Sequence, residues 1–215
     1  MNVLEKIDQA LEKEQEGKRE YIGASILGIE CDRALWYKCY HFLPDHAPRL
    51  KRIFRLGHLI EGDVIKLLEM AGFTIYTKKK NGEQYGFKRG PFAGHCDGVL
   101  VEEDKTPWVF DVKTCKNSYF NQYKKKGIKQ ISREYYIQIL TYMKYLKCPM
   151  GMIIFYNKDT SDMHVEKITA DDDLATIYEE RALDIYRMTE APPRKWEDPT
   201  FFKCRMCHYR ETCHG

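Results

Sequence analysis

The feature that most constrains this chain is a pair of short apolar runs, residues 99–101 and 108–110, joined by a polar segment. Valine-rich and aromatic runs of this length with a short polar connection predict a β-hairpin. Asp97 precedes the first run, and Asp111 and Lys113 follow directly after the second. Because alternate residues of a strand share a face, Asp111 and Lys113 should project to the same side. The hairpin therefore brings two acids and a lysine to one point.

Two carboxylates beside one ammonium group are typical of a metal site that binds phosphate. Asp111 lies between Phe110 and Val112, and a buried carboxylate is costly unless it is paired or bound to metal. Oxygen ligands of this kind suit Mg²⁺ or Mn²⁺, and a nearby lysine can polarise a phosphate or orient water. This arrangement favours metal-assisted phosphodiester cleavage. The alternative is an Asp–Lys ion pair on an exposed hairpin face, with Asp97 as a turn residue.

The remaining sequence predicts helices around this hairpin. Apolar residues recur at helical spacing at residues 3–17, 50–71, 131–147 and 171–188. A further helix is predicted to run through residues 31–40, with Ser25 as its cap. Strand-like runs are found at residues 73–77, 84–87, 93–101, 108–113, 151–156 and 163–168. This order predicts one α/β (α+β) domain over residues 1–215, with a mixed central sheet flanked by helices.

Composition excludes some functional classes. The chain is 43% hydrophobic and 31% charged, and it has no apolar run of about 18 residues. We therefore expect neither a membrane span nor a secretory signal. Eight cysteines without a signal indicate a reducing compartment, and we expect a cytoplasmic protein. The net charge of +3 alone would not indicate nucleic-acid binding.

Two helical motifs can add to the hairpin's chemistry. His58 and Glu61 follow Gly57 and are three residues apart, so they share a helix face that could point at the metal. Gln138 and Tyr142 are one turn apart on an otherwise apolar helix and need polar partners. The alternatives are a surface glutamate with a satisfied histidine, and an ordinary buried hydrogen bond to backbone.

The order Gly-x3-Glu, Gly-x2-Asp, Asp-x-Lys and Gln-x3-Tyr over residues 57–142 resembles the PD-(D/E)xK nuclease superfamily, in its RecB-like exonuclease branch. The resemblance implies a restriction-endonuclease-like core at about residues 50–170. The roles it implies are metal ligation by Asp97, Asp111 and the Val112 carbonyl, a catalytic Lys113, a first-helix acid Glu61, and a substrate-side pair Gln138 and Tyr142.

One position departs from the pattern of this branch. Many members place a histidine metal ligand four residues after the glycine, where this chain has Glu61, while His58 follows Gly57 directly. We expect Glu61 rather than His58 to contact the metal.

The C-terminus carries a cysteine motif, Cys204-x2-Cys207-x5-Cys213. With Cys31 in a Cys-x-Arg-x3-Tyr motif, it resembles the iron–sulfur subset of the same branch. That subset includes the CRISPR-associated adaptation nuclease, AddB nuclease domains and phage exonucleases. The resemblance implies a [4Fe–4S] cluster that joins the two chain ends. The alternative is Zn²⁺ held by the three C-terminal cysteines and a histidine.

The activity that the resemblance implies is a metal-dependent DNA exonuclease acting on ends or single strands in recombination, repair, phage replication or CRISPR adaptation. Its partner would be a helicase, a recombinase or a CRISPR-adaptation protein. The alternatives are a non-catalytic DNA-binding or assembly subunit and a zinc-stabilised interaction protein.

Two lysine runs and an aromatic group could contact DNA. The lysines are Lys78, Lys79, Lys80, Lys124, Lys125 and Lys126. They could line a DNA groove or simply lie in solvated loops. Tyr119, Phe120 and Tyr123 could stack on bases or pack in the core.

Overall fold

The computed structural model describes residues 2–14, 21–40 and 47–215. The helices in these ranges are α1 Val3–Glu12, α2 Asp32–Tyr40, α3 Pro48–Met70, α4 Asn117–Lys126, α5 Ile128–Ile131, α6 Arg133–Leu146, α7 Asp172–Arg187, α8 Phe202–Arg205 and α9 Arg210–His214, with a 3₁₀ turn at Ala24–Ile26. The strands are β1 Ile22–Gly23, β2 Thr74–Tyr76, β3 Gly86–Arg89, β4 Phe92–His95, β5 Gly98–Val101, β6 Pro107–Cys115, β7 Met150–Asn157 and β8 Met163–Thr169.

The strands form two sheets. The larger has the order β2-β5-β6-β7-β8, in which β6 and β7 are parallel and the other pairs antiparallel. The smaller has the order β1-β4-β3. The predicted mixed α/β fold is therefore confirmed. In the described part of the chain, no helix is long and apolar enough to cross a lipid bilayer.

The predicted hairpin is β5–β6, with Val99 opposite Val109. The prediction of one strand over residues 93–101 is wrong, because the chain leaves the small sheet after β4 and enters the large sheet at β5. Gly98 begins β5 with its backbone close to the Phe110 ring, where a Cβ would lie 2.6 Å from that ring. Asp97 lies at the junction between the two sheets.

Both faces of the large sheet are covered at its strands β6 and β7, which explains the long buried runs of these two strands. On one face, Val109, Ile153 and Phe155 pack in a core with α6 and α7. On the other face, Phe110 and Ile154 belong to a second core that α3 closes with Val64. Strand β6 is thus buried on both sides, and its odd-numbered residues face α6.

Several predicted helix boundaries differ from the structure. Helix α1 ends at Glu12, so the predicted extension to residue 17 fails by residue 13, and residues 15–17 lie outside the described ranges. Ser25 lies in the 3₁₀ turn rather than capping α2, which begins at Asp32. Helix α3 ends at Met70, one residue before the predicted end, and Gly72, the residue that we expect to end the helix, follows with a φ of 90°.

Helices α4 and α5 were not predicted because their segment is polar and buries few residues. Phe120 and Tyr123 are the buried residues of α4, three positions apart on one face, and Ile128 is the buried residue of α5. Such a narrow apolar stripe gives a weak periodic signal.

We expect Gly28→Ala to destabilise the protein by about 1–3 kcal/mol, because a methyl group there would overpack the start of α6. A Cβ at Gly28 would lie 2.5 Å from the Glu134 Cα and 2.7 Å from the Arg133 carbonyl oxygen. The matched control is Gly62→Ala in α3, where a Cβ would meet no atom within 4 Å. This control should gain up to about 1 kcal/mol from helix propensity. Urea unfolding measures both, and an unchanged free energy of unfolding for Gly28→Ala would contradict the packing described.

Candidate active site

The hairpin brings its two acids and its lysine together at the junction of the sheets. Asp111 is 2% exposed on β6, and its carboxylate forms an ion pair with the Lys113 ammonium group, whose side chain is 20% exposed. The Asp97 Oδ2 accepts a hydrogen bond from the Val112 backbone N–H at 2.6 Å. The Asp–Lys ion pair of the alternative interpretation is thus present. It is buried beside a second acid, however, and does not lie on an exposed face.

Burial makes both acids hard to ionise, and at Asp97 the charges of neighbouring acids add to this effect. The pKa of Asp97 is raised to about 8, first by burial and then by the negative charges of Asp111 and Glu61, against the opposing effects of Lys113 and the Val112 N–H. Burial also raises the pKa of Asp111, and the charge of Lys113 opposes this rise. Two carboxylates therefore depend on one lysine for compensation.

Lys113 is held in its charged form. Burial alone would lower its pKa, but the charges of Asp111 and Asp97 outweigh burial and raise it. An ammonium group at this position is a permanent hydrogen-bond donor over the working pH range of most enzymes.

Helix α3 places Glu61 closer to the acids than His58. The Glu61 side chain is 26% exposed and contributes to the raised pKa of Asp97. The His58 side chain is 81% exposed, and its Nδ1 lies 3.4 Å from the Glu61 Oε2. Glu61 therefore faces the site, whereas His58 lies on its solvent side.

Helix α6 places the Gln138–Tyr142 pair against the acids. Both side chains are buried, and the Gln138 Nε2 donates to the Tyr142 hydroxyl at 3.0 Å. Burial, followed by the charge of Asp111, raises the pKa of Tyr142, so its phenol stays protonated. Gly94 makes room for this ring, because a Cβ there would lie 2.8 Å from the Tyr142 Cε1.

The acids fit a divalent cation only in part. In residues 2–14, 21–40 and 47–215, no three His, Cys, Asp or Glu side chains are grouped closely enough to hold a metal ion by themselves. Mg²⁺, however, is commonly bound through one or two carboxylates, with waters and substrate phosphates completing the octahedron. Asp97 and Asp111 supply two such carboxylates, and Lys113 alone does not offset the rise in their pKa values.

The four cysteines from the two chain ends lie within electrostatic range of one another. After burial, the charges of Cys213, Cys31 and Cys207 are the largest contributions that raise the pKa of Cys204. All four are free thiols, and in the described part of the chain they do not form a group that is close enough to hold a metal ion.

One arginine connects the two ends of the chain near these cysteines, and a second arginine holds the C-terminal segment to itself. The Arg33 Nη1 donates to the Pro192 carbonyl at 2.8 Å, and the Arg194 Nε donates to the Cys213 carbonyl at 2.8 Å. The segment that follows α7 is therefore anchored to the start of α2.

Both lysine runs are exposed, whereas only one of the three aromatic residues on α4 is exposed. Lys78, Lys79, Lys80, Lys124, Lys125 and Lys126 all lie at the surface, the last three in the final turn of α4. Tyr119 is 53% exposed. Phe120 and Tyr123 are 2% and 6% exposed, and Tyr123 stacks on Phe155. The prediction that Phe120 and Tyr123 stack on bases is therefore wrong, and both side chains pack in the hydrophobic core.

Sequence reasoning missed Tyr135, whose ring centroid lies 5.1 Å from the Lys113 Nζ. Its position three residues before Gln138 places it on the same face of α6, and this spacing is the signal that could have found it.

Comparison with known proteins identifies the fold without naming a family. No protein-family model and no curated protein matches the chain. The solved structure of SSO0001 matches with a TM-score of 0.60 and 15% identity, covering 98% of this chain and 95% of that one. An alkaline exonuclease from Laribacter hongkongensis matches with a TM-score of 0.53 and 14% identity, covering 84% and 90%. A phage-related exonuclease from Haemophilus somnus 129PT matches with a TM-score of 0.51 and 16% identity, covering 72% and 78%. The chain thus has a fold that it shares with exonucleases.

We expect the metal-free protein to lose stability as the pH rises. The folded-state pKa of Asp97, about 8, lies above its ordinary value of 3.8, so the folded state keeps a proton that the unfolded state releases. The resulting stabilisation is complete below about pH 4 and is lost as the pH rises towards 8. Urea unfolding in excess chelator between pH 5 and 9 measures this loss.

The control for this measurement is Asp97→Asn, which can still accept the Val112 N–H but cannot ionise. It should be more stable than the wild type at pH 8 by about 1–3 kcal/mol, with the difference shrinking towards pH 5. A difference that does not depend on pH would contradict the buried-acid interpretation.

Proposed function

We propose that the protein is a metal-dependent deoxyribonuclease, an exonuclease that acts on DNA ends or single strands. The observation that carries this proposal is the buried group of Asp97, Asp111 and Lys113, in which two acids share one lysine. Without a bound cation, such a buried group destabilises the folded protein. With a cation bound, its carboxylates can hold that cation next to a phosphate. The fold shared with two exonucleases supports the same activity.

The cation would be Mg²⁺ or Mn²⁺, held by Asp97, Asp111 and the Val112 carbonyl, with Glu61 as the further acid. Hard oxygen donors are the ligands that these ions prefer. When bound, the ion would supply positive charge to the scissile phosphate and lower the pKa of a water molecule.

The side chains of the chain itself would orient the reaction. Lys113 would donate to a non-bridging phosphate oxygen or to the attacking water, since its ammonium group stays charged. The water oxygen bonds to phosphorus as the bond from phosphorus to the 3′ oxygen breaks. The attacking water would release a proton to solvent, the departing 3′ oxygen would take up a proton from solvent, and the new 5′ end would keep the phosphate. Tyr142, held protonated and bonded to Gln138, would be a second neutral donor beside the acids.

DNA would approach over the exposed basic surface. The lysine runs 78–80 and 124–126 are at the surface, and Tyr119 on α4 is free to stack on a base. Contacts of lysine with phosphate make affinity fall steeply with salt. These 215 residues contain no Gly-x4-Gly-Lys-[Ser/Thr] motif, and the partner that we propose for this activity is a helicase, a recombinase or a CRISPR-adaptation protein.

We expect Lys113→Ala to lower nuclease activity at least about 100-fold, since it removes the charged donor aimed at the phosphate. The assay uses end-labelled single- and double-stranded DNA with Mn²⁺, and chelation of the metal should abolish wild-type activity. The matched control is Lys66→Ala, which removes the same charge from an exposed position on α3 and should keep full activity. Equal activity of wild type and Lys113→Ala would exclude this mechanism. Metal-independent DNA binding without cleavage by the wild type would favour the non-catalytic alternative.

We also propose that Cys31, Cys204, Cys207 and Cys213 hold a [4Fe–4S] cluster that ties the two ends of the chain together. The electrostatic influence of the other three thiols on Cys204 and the contact of Arg33 with the Pro192 carbonyl across the chain ends support this proposal. Joining distant segments removes conformational entropy from the unfolded chain. The zinc alternative would use His208 or His214 with the C-terminal cysteines.

We expect Cys31→Ser to lose its bound iron, its brown colour and much of its soluble yield, because one of the four thiolates is removed. The matched control is Cys115→Ser, on the strand of the acids and away from the chain ends, which should keep the iron. Metal analysis and visible absorbance of anaerobically purified protein measure both variants. Full iron content in Cys31→Ser would contradict the ligand assignment, and zinc in the wild type would favour the alternative.

A further inference from the structure

The Lys113 ammonium group has a second neighbour besides Asp111. Its Nζ lies 5.1 Å from the ring centroid of Tyr135, within the range of a cation–π contact. The Tyr135 side chain is half-buried, and burial is the main cause of its raised pKa. The charges of Lys113 and Asp111 also act on that pKa in opposite directions, so the ring lies within the field of the site.

Local structure fixes the Tyr135 ring in place. Tyr135 lies in the first turn of α6, where the Ser132 hydroxyl oxygen accepts its backbone N–H at 3.4 Å. The backbone at Gly28 packs directly against the adjacent Glu134. The ring is therefore held by a capped and tightly packed helix start, whereas a lysine side chain is flexible along its four-carbon stem.

We propose, on the basis of the nuclease function proposed above, that Tyr135 is a positioning residue whose ring face holds the Lys113 ammonium group in its working orientation. A carboxylate that also binds a cation has less charge to offer the lysine, so Asp111 alone is a poor anchor in the loaded enzyme. An aromatic face attracts an ammonium group without carrying a charge. It therefore holds Lys113 without repelling the phosphate that the lysine must reach.

The first test compares two substitutions at Tyr135 with a matched control. Tyr135→Leu removes the ring and should lower kcat about 3- to 30-fold, with KM for DNA within about twofold of wild type. Tyr135→Phe keeps the ring and should stay within about twofold of wild type in both constants. Tyr136→Leu is the control, because Tyr136 is the next residue on α6 and its ring lies 5.5 Å from a different lysine, Lys129. It should retain wild-type kcat.

The second test needs neither metal nor activity. The face of an aromatic ring shifts nearby protons upfield, so in NMR spectra of the metal-free protein the Lys113 ε-methylene signals should lie upfield of those of exposed lysines. Lys113→Ala assigns these signals by their disappearance. The upfield shift should persist in Tyr135→Phe and vanish in Tyr135→Leu.

Wild-type kcat in Tyr135→Leu would overturn the inference, as would an equal loss in Tyr135→Phe, which would assign the role to the hydroxyl. An equal loss in Tyr136→Leu would also overturn it, since any change to the helix surface would then have the same effect. Failure of the proposed function is distinguishable, because it shows as an inactive wild type or as an active Lys113→Ala. In that case the NMR measurement still decides whether the ring holds the lysine.

Discussion

The hydrogen bond from the Val112 N–H to the Asp97 carboxylate is the contact on which the site depends. It joins the junction of the two sheets to β6, the central strand of the larger one, and so fixes Asp97 beside Asp111. The next residue, Gly98, is paired with Phe110 on the same strand, so the β5–β6 pairing supports the same placement. The geometry of the candidate active site is therefore a consequence of how the two sheets are joined.

That arrangement is held against an electrostatic cost. Burial raises the pKa of Asp97 and of Asp111, and the charges of Asp111 and Glu61 raise that of Asp97 further, while the charge of Lys113 opposes both rises. The apolar packing on both faces of the large sheet offsets this cost, because its contribution to the free energy of folding is far larger than that of one polar contact. Polar groups that are held at a cost in stability are common at functional sites.

Helix α6 connects the site with the cysteine end of the molecule. Its first turn carries Tyr135 against Lys113, and its next turns carry Gln138 and Tyr142 towards the acids. Burial raises the pKa of Glu134 in the same first turn, and positive charges from Lys38 and Lys203 oppose that rise. Lys203 precedes Cys204 directly, so the cysteine segment lies close to the helix that positions the lysine. Small residues make this packing feasible, since Gly28 and Gly94 both lie where a side chain would collide with α6 or its tyrosine.

The sequence by itself determined the hairpin, its acids and lysine, the mixed sheet and the long helices, because two-residue and 3.6-residue periodicities are local properties of the chain. It also indicated Glu61 and the pair on α6, since residues one turn apart share a helix face. Only the tertiary structure decided that residues 93–101 divide between two sheets, that Phe120 and Tyr123 belong to the core, and that Tyr135 faces Lys113. These outcomes rest on contacts between residues that are distant in the sequence, and a local pattern carries no information about which distant surface a side chain will meet.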